Sequence, residues 1–220
     1  MEPAVLLFGN LSIEAAIMTV LAVLMGMTIH EFAHNYVGHL MGDPVPAREG
    51  RLTLNPLVHI NPVGFLMFVL IGFGILGQAP ISPYRMRNPR WGFLAAVAAG
   101  PLSNLLLAII AGILLRLLES LVGFNSQAAF TLANLFFYII FWNVLLFVFN
   151  LLPFYPIDGW TIVLAFLPAD LARWWERNAM YSQYALMALI LIGFVLPGQS
   201  PLGMIIFGPA QAITRILTGF

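Results

Sequence analysis

Three residues in one apolar stretch carry the chemistry that the rest of the chain must serve. Met27-Thr28-Ile29-His30-Glu31-Phe32-Ala33-His34 contains the pattern H-E-x-x-H. Positions four apart on a helix lie about 40° apart around the axis, so His30 and His34 face one point, with Glu31 beside them at about 100°. Two imidazoles at that spacing suit a zinc ion, and a neighbouring carboxylate suits a general base that takes a proton from water. An ionisable side chain at bilayer depth costs at least ~2.5–3.5 kcal/mol, so a run that places all three in an apolar helix needs a reason.

A catalytic zinc site commonly takes three protein ligands and keeps one position open for water, so the histidines need a partner. The chain has no cysteine, which leaves nitrogen and oxygen donors only. Besides Glu31, the acidic residues are Glu2, Glu14, Asp43, Glu49, Glu119, Asp158, Asp170 and Glu176. Asp158 stands apart: the run Asn150-Leu151-Leu152-Pro153-Phe154-Tyr155-Pro156-Ile157-Asp158-Gly159 breaks an apolar helix with two prolines and a glycine. Such a break turns polar atoms toward a cavity. The plainer alternative is an exposed turn aspartate ahead of a glycine. The expected metal set is His30, His34 and Asp158 around one zinc ion, with Glu31 as the catalytic base.

The elements that must position these groups are membrane helices. Of 220 residues, 61% are hydrophobic and 8% are charged, with a mean hydropathy of +0.94; a water-soluble domain has roughly a quarter of its residues charged. Five apolar runs, at about 12–41, 91–118, 129–153, 179–197 and 201–217, read as helices near the ~20 residues that cross a hydrocarbon core. A sixth, Val63 to Leu76, is short, lies between Pro62 and Pro80, and contains Gly64, Gly72 and Gly74. Its length fits a re-entrant segment. Ahead of it, Arg51-Leu52-Thr53-Leu54-Asn55 alternates polar and apolar residues after Gly50 and stops at Pro56, which predicts a short strand. Non-helical backbone at that depth needs protein or a water-filled cavity around it.

The expected fold is therefore an all-α polytopic membrane protein with about five transmembrane helices, a short re-entrant segment and a small membrane-associated β element. A single domain over 1–220 is expected, with a catalytic core at about 12–160 and C-terminal helices at 179–217, joined at Pro197 and Gly198 as gating elements. The charged residues sum to zero, which gives no sign of a nucleic-acid partner. Met1 to Ser12 lacks a basic stretch ahead of its apolar run, so no cleaved signal is expected.

All nine basic residues are arginines, and their placement predicts orientation. If 63–76 returns to its starting side, Arg48, Arg51, Arg85, Arg87, Arg90, Arg173, Arg177 and Arg215 share one side, and only Arg116 is opposite. A full crossing instead leaves Arg48, Arg51 and Arg116 against the other six. The stronger bias puts the N-terminus outside and the C-terminus in the cytoplasm. It also brings the ends of the helices at 12–41 and 129–153 to one side, where His30, His34 and Asp158 can meet.

These residues resemble the site-2 protease family of intramembrane metalloproteases. His30-Glu31-Phe32-Ala33-His34 is similar to its zinc helix, and 150–159 is similar to its N-x-x-P-x-x-P-x-D-G element, which carries the third ligand. Ala99-Gly100-Pro101-Leu102-Ser103-Asn104 is similar to the A-G-P-x-x-N segment of its middle core helix, and 50–64 to a loop of compact bacterial and archaeal members. The matches run in family order from about Met25 to Trp160 and depart at Trp160, where the family often has a further glycine. The resemblance implies a zinc ion, a three-helix core, a metal on the cytoplasmic side of a prokaryotic plasma membrane, and cleavage of transmembrane protein or peptide substrates. It implies that Asn150 contacts the scissile peptide or its developing oxyanion; many members also carry a PDZ or CBS domain, and none is expected here.

A helical substrate hides its carbonyls, so it must unwind, and the strand at Leu52 to Leu54 is expected to hold it by edge pairing. Asn104 is either a helix-packing hydrogen-bond donor, the commoner role, or a substrate contact. His39 lies off the metal-facing stripe and reads as an interfacial histidine, and His59 as a group that orients the loop or a ligand. Phe136, Phe137, Trp142, Trp174 and Trp175 read as lipid-facing or interfacial bulk. The rival function is a metal transporter or a non-catalytic metal-binding scaffold; transport needs polar residues through several helices at mid-depth, and few occur outside this cluster.

Overall fold

A computed structural model describes residues 12–71, 74, 77–196 and 199–219. The helices are α1 (Ile13–Leu40), α2 (Val45–Arg48), α3 (Pro56–His59), α4 (Pro62–Ile71), α5 (Pro89–Leu121), α6 (Gln127–Asn150), α7 (Asp158–Phe166), α8 (Ala169–Arg177), α9 (Ala179–Val195) and α10 (Pro201–Thr218). The long helices start at side-chain caps. Oxygens of Ser12, Asn88, Ser126 and Ser200 accept from the N–H groups of Ala15, Trp91, Ala129 and Gly203, and Pro89 and Pro201 take first-turn positions where no N–H is missed.

The centre of the bundle is α1, α5 and α6. Small residues let these helices approach: a Cβ at Gly26 of α1 would lie 2.6 Å from Asn143 Oδ1 of α6. Ala108, Ala111 and Leu115 of α5 pack with Ala133, Ile140 and Val144 of α6 and Ala210 of α10. Close backbone approach is how helices associate where lipid is as apolar as leucine. Leu102, Leu106, Ile113 and Leu117, spaced along α5, remain half exposed and form an outward apolar stripe. This is a multi-pass membrane protein.

Among the described residues three helices, α1, α5 and α6, are long and apolar enough to cross a membrane; α8 and α9, bent by 56° at their junction, make a fourth candidate if counted as one span. The expected five are not all there. The run at 179–197 yields a helix of 17 residues, and α10 has Pro209, Gln211 and Arg215 among its apolar residues. The expected hinge at Pro197 and Gly198, like Glu2 and the segment Met1 to Leu11, lies outside the described residues.

No strand forms among the described residues, which corrects the expected β element. Side chains in 51–55 satisfy the backbone locally instead. Thr53 Oγ1 accepts from Asn55 N–H at 3.2 Å, and Asn55 Oδ1 caps α3 by accepting from Leu57 N–H at 3.1 Å. The only sheet-like pairing described is an antiparallel bridge between Ile60 and Gly77. It closes the excursion that opens with α4, so the chain returns beside the point it left; Gly72, Phe73, Ile75 and Leu76 lie outside the described residues.

The start of α1 and the end of α10 lie toward one end of the bundle, whereas an N-terminus outside and a C-terminus in the cytoplasm would set them at opposite ends. His34 bonds to Ala96 and Asn104 to Gly26, so α1 and α5 are antiparallel, and the start of α1 lies where α5 ends. There Arg116 donates from Nε to Leu217 O (3.0 Å) and from Nη2 to Ile216 O (2.5 Å), capping the last turn of α10. The reason is that α9 does not carry the chain across. Leu186 and Ile190 of α9 share one cluster with Leu152, Ile157 and the first turns of α10, at Leu202 and Ile206.

Candidate metal centre

The zinc-type motif lies on the buried face of α1, where His30, Glu31 and His34 are nearly inaccessible. Asp158 reaches them from the next break in the bundle. The helix α6 ends at Asn150, Pro153 and Pro156 prevent its continuation, and Asp158 becomes the first residue of α7. Gly159 packs against the carbonyls of Leu151 and Leu152 with no space for a Cβ, so the turn that presents Asp158 needs a glycine after it.

The ring nitrogens have defined roles. His30 Nδ1–H donates to Asn104 Oδ1 at 2.7 Å, and His34 Nδ1–H donates to Ala96 O at 2.8 Å, which leaves each neutral ring with a lone pair on Nε2. The two Nε2 atoms are 2.9 Å apart, and Asp158 Oδ2 lies 3.2 Å from the first and 3.3 Å from the second. Three lone-pair atoms at contact distance repel unless a cation sits among them. Zinc bonds of about 2.0–2.2 Å in a tetrahedron set ligand atoms about 3.3 Å apart, so the triangle fits. Asp158 Oδ2 has no hydrogen-bond donor. Burial alone would raise the pKa of Asp158, but the imidazoles of His34 and His30, when they hold protons in place of an ion, more than reverse this and hold the carboxyl well below the usual carboxylate range. The place is built to take positive charge.

Two close approaches shape the site. Gly100 of α5 lies directly against the imidazoles, and a Cβ there would be 2.8 Å from His30 Cε1 and closer still to His34. Gly77 lies against Glu31, where a Cβ would be 2.7 Å from Oε1. The other carboxylate oxygen of Glu31 is buried without a partner. Metal-facing atoms and Glu31 open on one cavity of about 360 Å³. Its walls are mainly apolar, from Met27, Phe93, Leu146, Phe149 and Leu186, with Gln78, Asn150, Thr161 and Gln183 adding neutral polar groups.

The chain has relatives among known proteins. "Putative zinc metalloprotease YwhC" of Bacillus subtilis is 34% identical over 192 residues, covering 86% of this chain and 84% of its own. The chain belongs to the site-2 protease family. Two mycobacterial relatives are both named "Putative zinc metalloprotease Rip2". That of Mycolicibacterium smegmatis is 30% identical over 62% of this chain and 52% of its own; that of Mycobacterium tuberculosis is 29% identical over 80% and 66%. No family model and no solved structure matches the chain.

In this site-2 protease family member the expected substrate contacts separate. Asn150 lines the cavity, with Nδ2 donating to Leu146 O at 2.9 Å. Asn104 is fully buried behind His30 and does not reach the cavity, so the packing reading describes its position. Leu54 lines a different, almost wholly apolar groove of about 390 Å³ between α1 and α6, and Leu52 lines neither. His59 is buried and donates from Nε2 to Thr53 O at 2.7 Å, holding its loop, while His39 is exposed. Gly77, Gln78, Thr161 and Gln183 escaped the sequence reading. The glycine is one of several in its segment, and Gln183 sits in an apolar run whose facing partner the sequence does not name.

Proposed function

We propose that this protein is a zinc-dependent intramembrane endopeptidase that hydrolyses peptide bonds in or near the transmembrane segments of membrane protein substrates. One observation carries the proposal: three lone-pair atoms converge beside the unpartnered carboxylate of Glu31, on a largely apolar cavity large enough for a short peptide segment. His30, His34 and Asp158 would hold the ion. Bound zinc would supply Lewis acidity, polarising a peptide carbonyl and making water easier to deprotonate. Glu31 is placed to remove that proton at its free oxygen and to pass it to the leaving amine. Asn150, on the cavity wall, supplies an amide toward the scissile carbonyl or its developing negative charge. The non-helical run Gln78 to Ile81 borders the cavity near Glu31 and offers backbone to an unwound substrate strand, the role expected for Leu52 and Leu54.

The orientation follows from the arginines. Counting α10 as a crossing with α1, α5 and α6, because it runs from the cluster at Leu152 and Ile157 to Arg116 despite Pro209, Gln211 and Arg215, sets Arg48, Arg51, Arg85, Arg87, Arg90, Arg173 and Arg177 at the metal end and Arg116 and Arg215 at the other. Seven against two keeps the metal end cytoplasmic, with Ser12 and Gly219 toward the outside. The partners are the lipid bilayer and single-span proteins or peptides. The test is cleavage of a panel of transmembrane peptides by purified protein in liposomes, with and without a zinc chelator and with Glu31→Gln. Zinc-dependent cuts inside the apolar segment, lost in the variant, are expected; cuts that persist through chelation, or fall only in soluble flanks, reject the proposal.

A further inference from the structure

The polar residues buried at the junction of α1, α5 and α6 have a direction. Ile139 O and Gly26 O are backbone carbonyls and can only accept. Asn143 Nδ2 donates to Ile139 O at 2.9 Å, which turns Asn143 Oδ1 toward α5. Asn104 Nδ2 then gives one proton to that oxygen at 2.9 Å and the other to Gly26 O at 3.0 Å. With both protons used, Asn104 has only Oδ1 left for His30, and His30 must meet it with Nδ1–H at 2.7 Å. A flip of either amide would set oxygen against oxygen. Both amides are completely buried, where an unpaired polar group costs ~1–3 kcal/mol, so the arrangement is strongly held.

We infer that Asn143 is a positioning residue for the metal centre, acting through Asn104 to keep the proton of His30 on Nδ1 and its Nε2 lone pair aimed at the ion. The inference rests on the proposed zinc site. Gly26 belongs to the device: it supplies a carbonyl, and a Cβ there would strike Asn143 Oδ1 at 2.6 Å. Nothing in the motif His30 to His34 fixes the tautomer of His30. The neighbouring ligand differs, since His34 is set directly by Ala96 O.

The experiment measures zinc affinity by chelator competition, in detergent, for the wild type, Asn104→Leu, Asn143→Leu and the double variant. Outer groups that orient a metal-binding histidine are worth ~10–100-fold in affinity, so Asn104→Leu should fall in that range and Asn143→Leu near its lower end. The double variant should be no weaker than Asn104→Leu, because Asn143 has no other route to the metal. Asn143→Asp, buried and protonated so that its O–H serves Ile139 O while its other oxygen faces Asn104, should retain affinity. A second readout needs no metal: nitrogen NMR of histidine-labelled protein should find His30 protonated on Nδ1, with the Nε2–H form appearing in Asn143→Leu. Unchanged zinc affinity in Asn143→Leu, losses that multiply in the double variant, or a wild-type His30 protonated on Nε2 would overturn the inference. A wild type that binds no zinc sinks the protease proposal instead, and the tautomer still decides this one.

Discussion

Replacing Gly100 by alanine adds one methyl group to a helix that otherwise favours it. The added carbon would sit 2.8 Å from His30 Cε1 and nearer still to Cε1 and Nε2 of His34. Carbon atoms rest about 3.5–4.0 Å apart, so His30 has to retreat by about 0.7 Å or more and His34 by a larger distance. Metal–ligand distances tolerate about 0.2 Å. His34 has no free direction of escape, because its Nδ1–H is tied to Ala96 O, one turn before Gly100 on the same helix. In the metal-free protein the helix gain of ~1 kcal/mol for alanine over glycine offsets part of an overpacking cost of ~1–3 kcal/mol. Unfolding should therefore shift by no more than ~2 kcal/mol, while zinc affinity falls by at least ~100-fold, the upper end of what disturbing an outer group does. The control is Gly208→Ala, where an added Cβ has nothing within 4 Å. Both variants are assayed by zinc content after dialysis against a competing chelator and by thermal unfolding in detergent. A folded Gly100→Ala protein that holds zinc as tightly as the wild type refutes the placement of the imidazoles against α5.

Other outcomes follow from the same geometry. Glu31→Gln should keep its zinc and lose ~10²–10⁴-fold in cleavage rate, read from metal content and peptide turnover together. Asp158→Asn should keep the fold but surrender zinc at a chelator concentration that leaves the wild type loaded, because it removes the only anionic donor of the triangle. The chain has no cysteine, so single cysteines can report sidedness cleanly. A cysteine at Ser12 and one at Gly219 should react with an impermeant reagent from the same face, and one at Arg48 from the other. Arg116→Gln should lower stability by roughly 1 kcal/mol by uncapping α10, with zinc affinity unchanged.

Much of the candidate site was legible in the residues. His30 and His34 follow from helical spacing alone, and Asp158 from a helix broken by Pro153 and Pro156 beside the only acidic group in that break. The fold was less legible. Thr53 and Asn55 read as the polar half of an alternating strand, yet the same side chains bond to nearby backbone, and that local option won. The last two apolar runs looked alike by composition, but one packs along the α5–α6 pair and the other stays with the cluster at Leu152 and Ile157.

Polar residues inside apolar helices show why the remainder was hidden. Asn104 and Asn143 each announce that a partner exists, since neither is tolerable in lipid alone. Neither says which partner. The answer lies in two backbone carbonyls, Ile139 O and Gly26 O, and carbonyls leave no mark on a sequence. Gly100 is silent in the same way, because a missing side chain records that something stands close but not that it is an imidazole. What the motif supplies is the identity of the donor atoms; what the bundle adds is the direction in which each lone pair points, and a zinc site needs both.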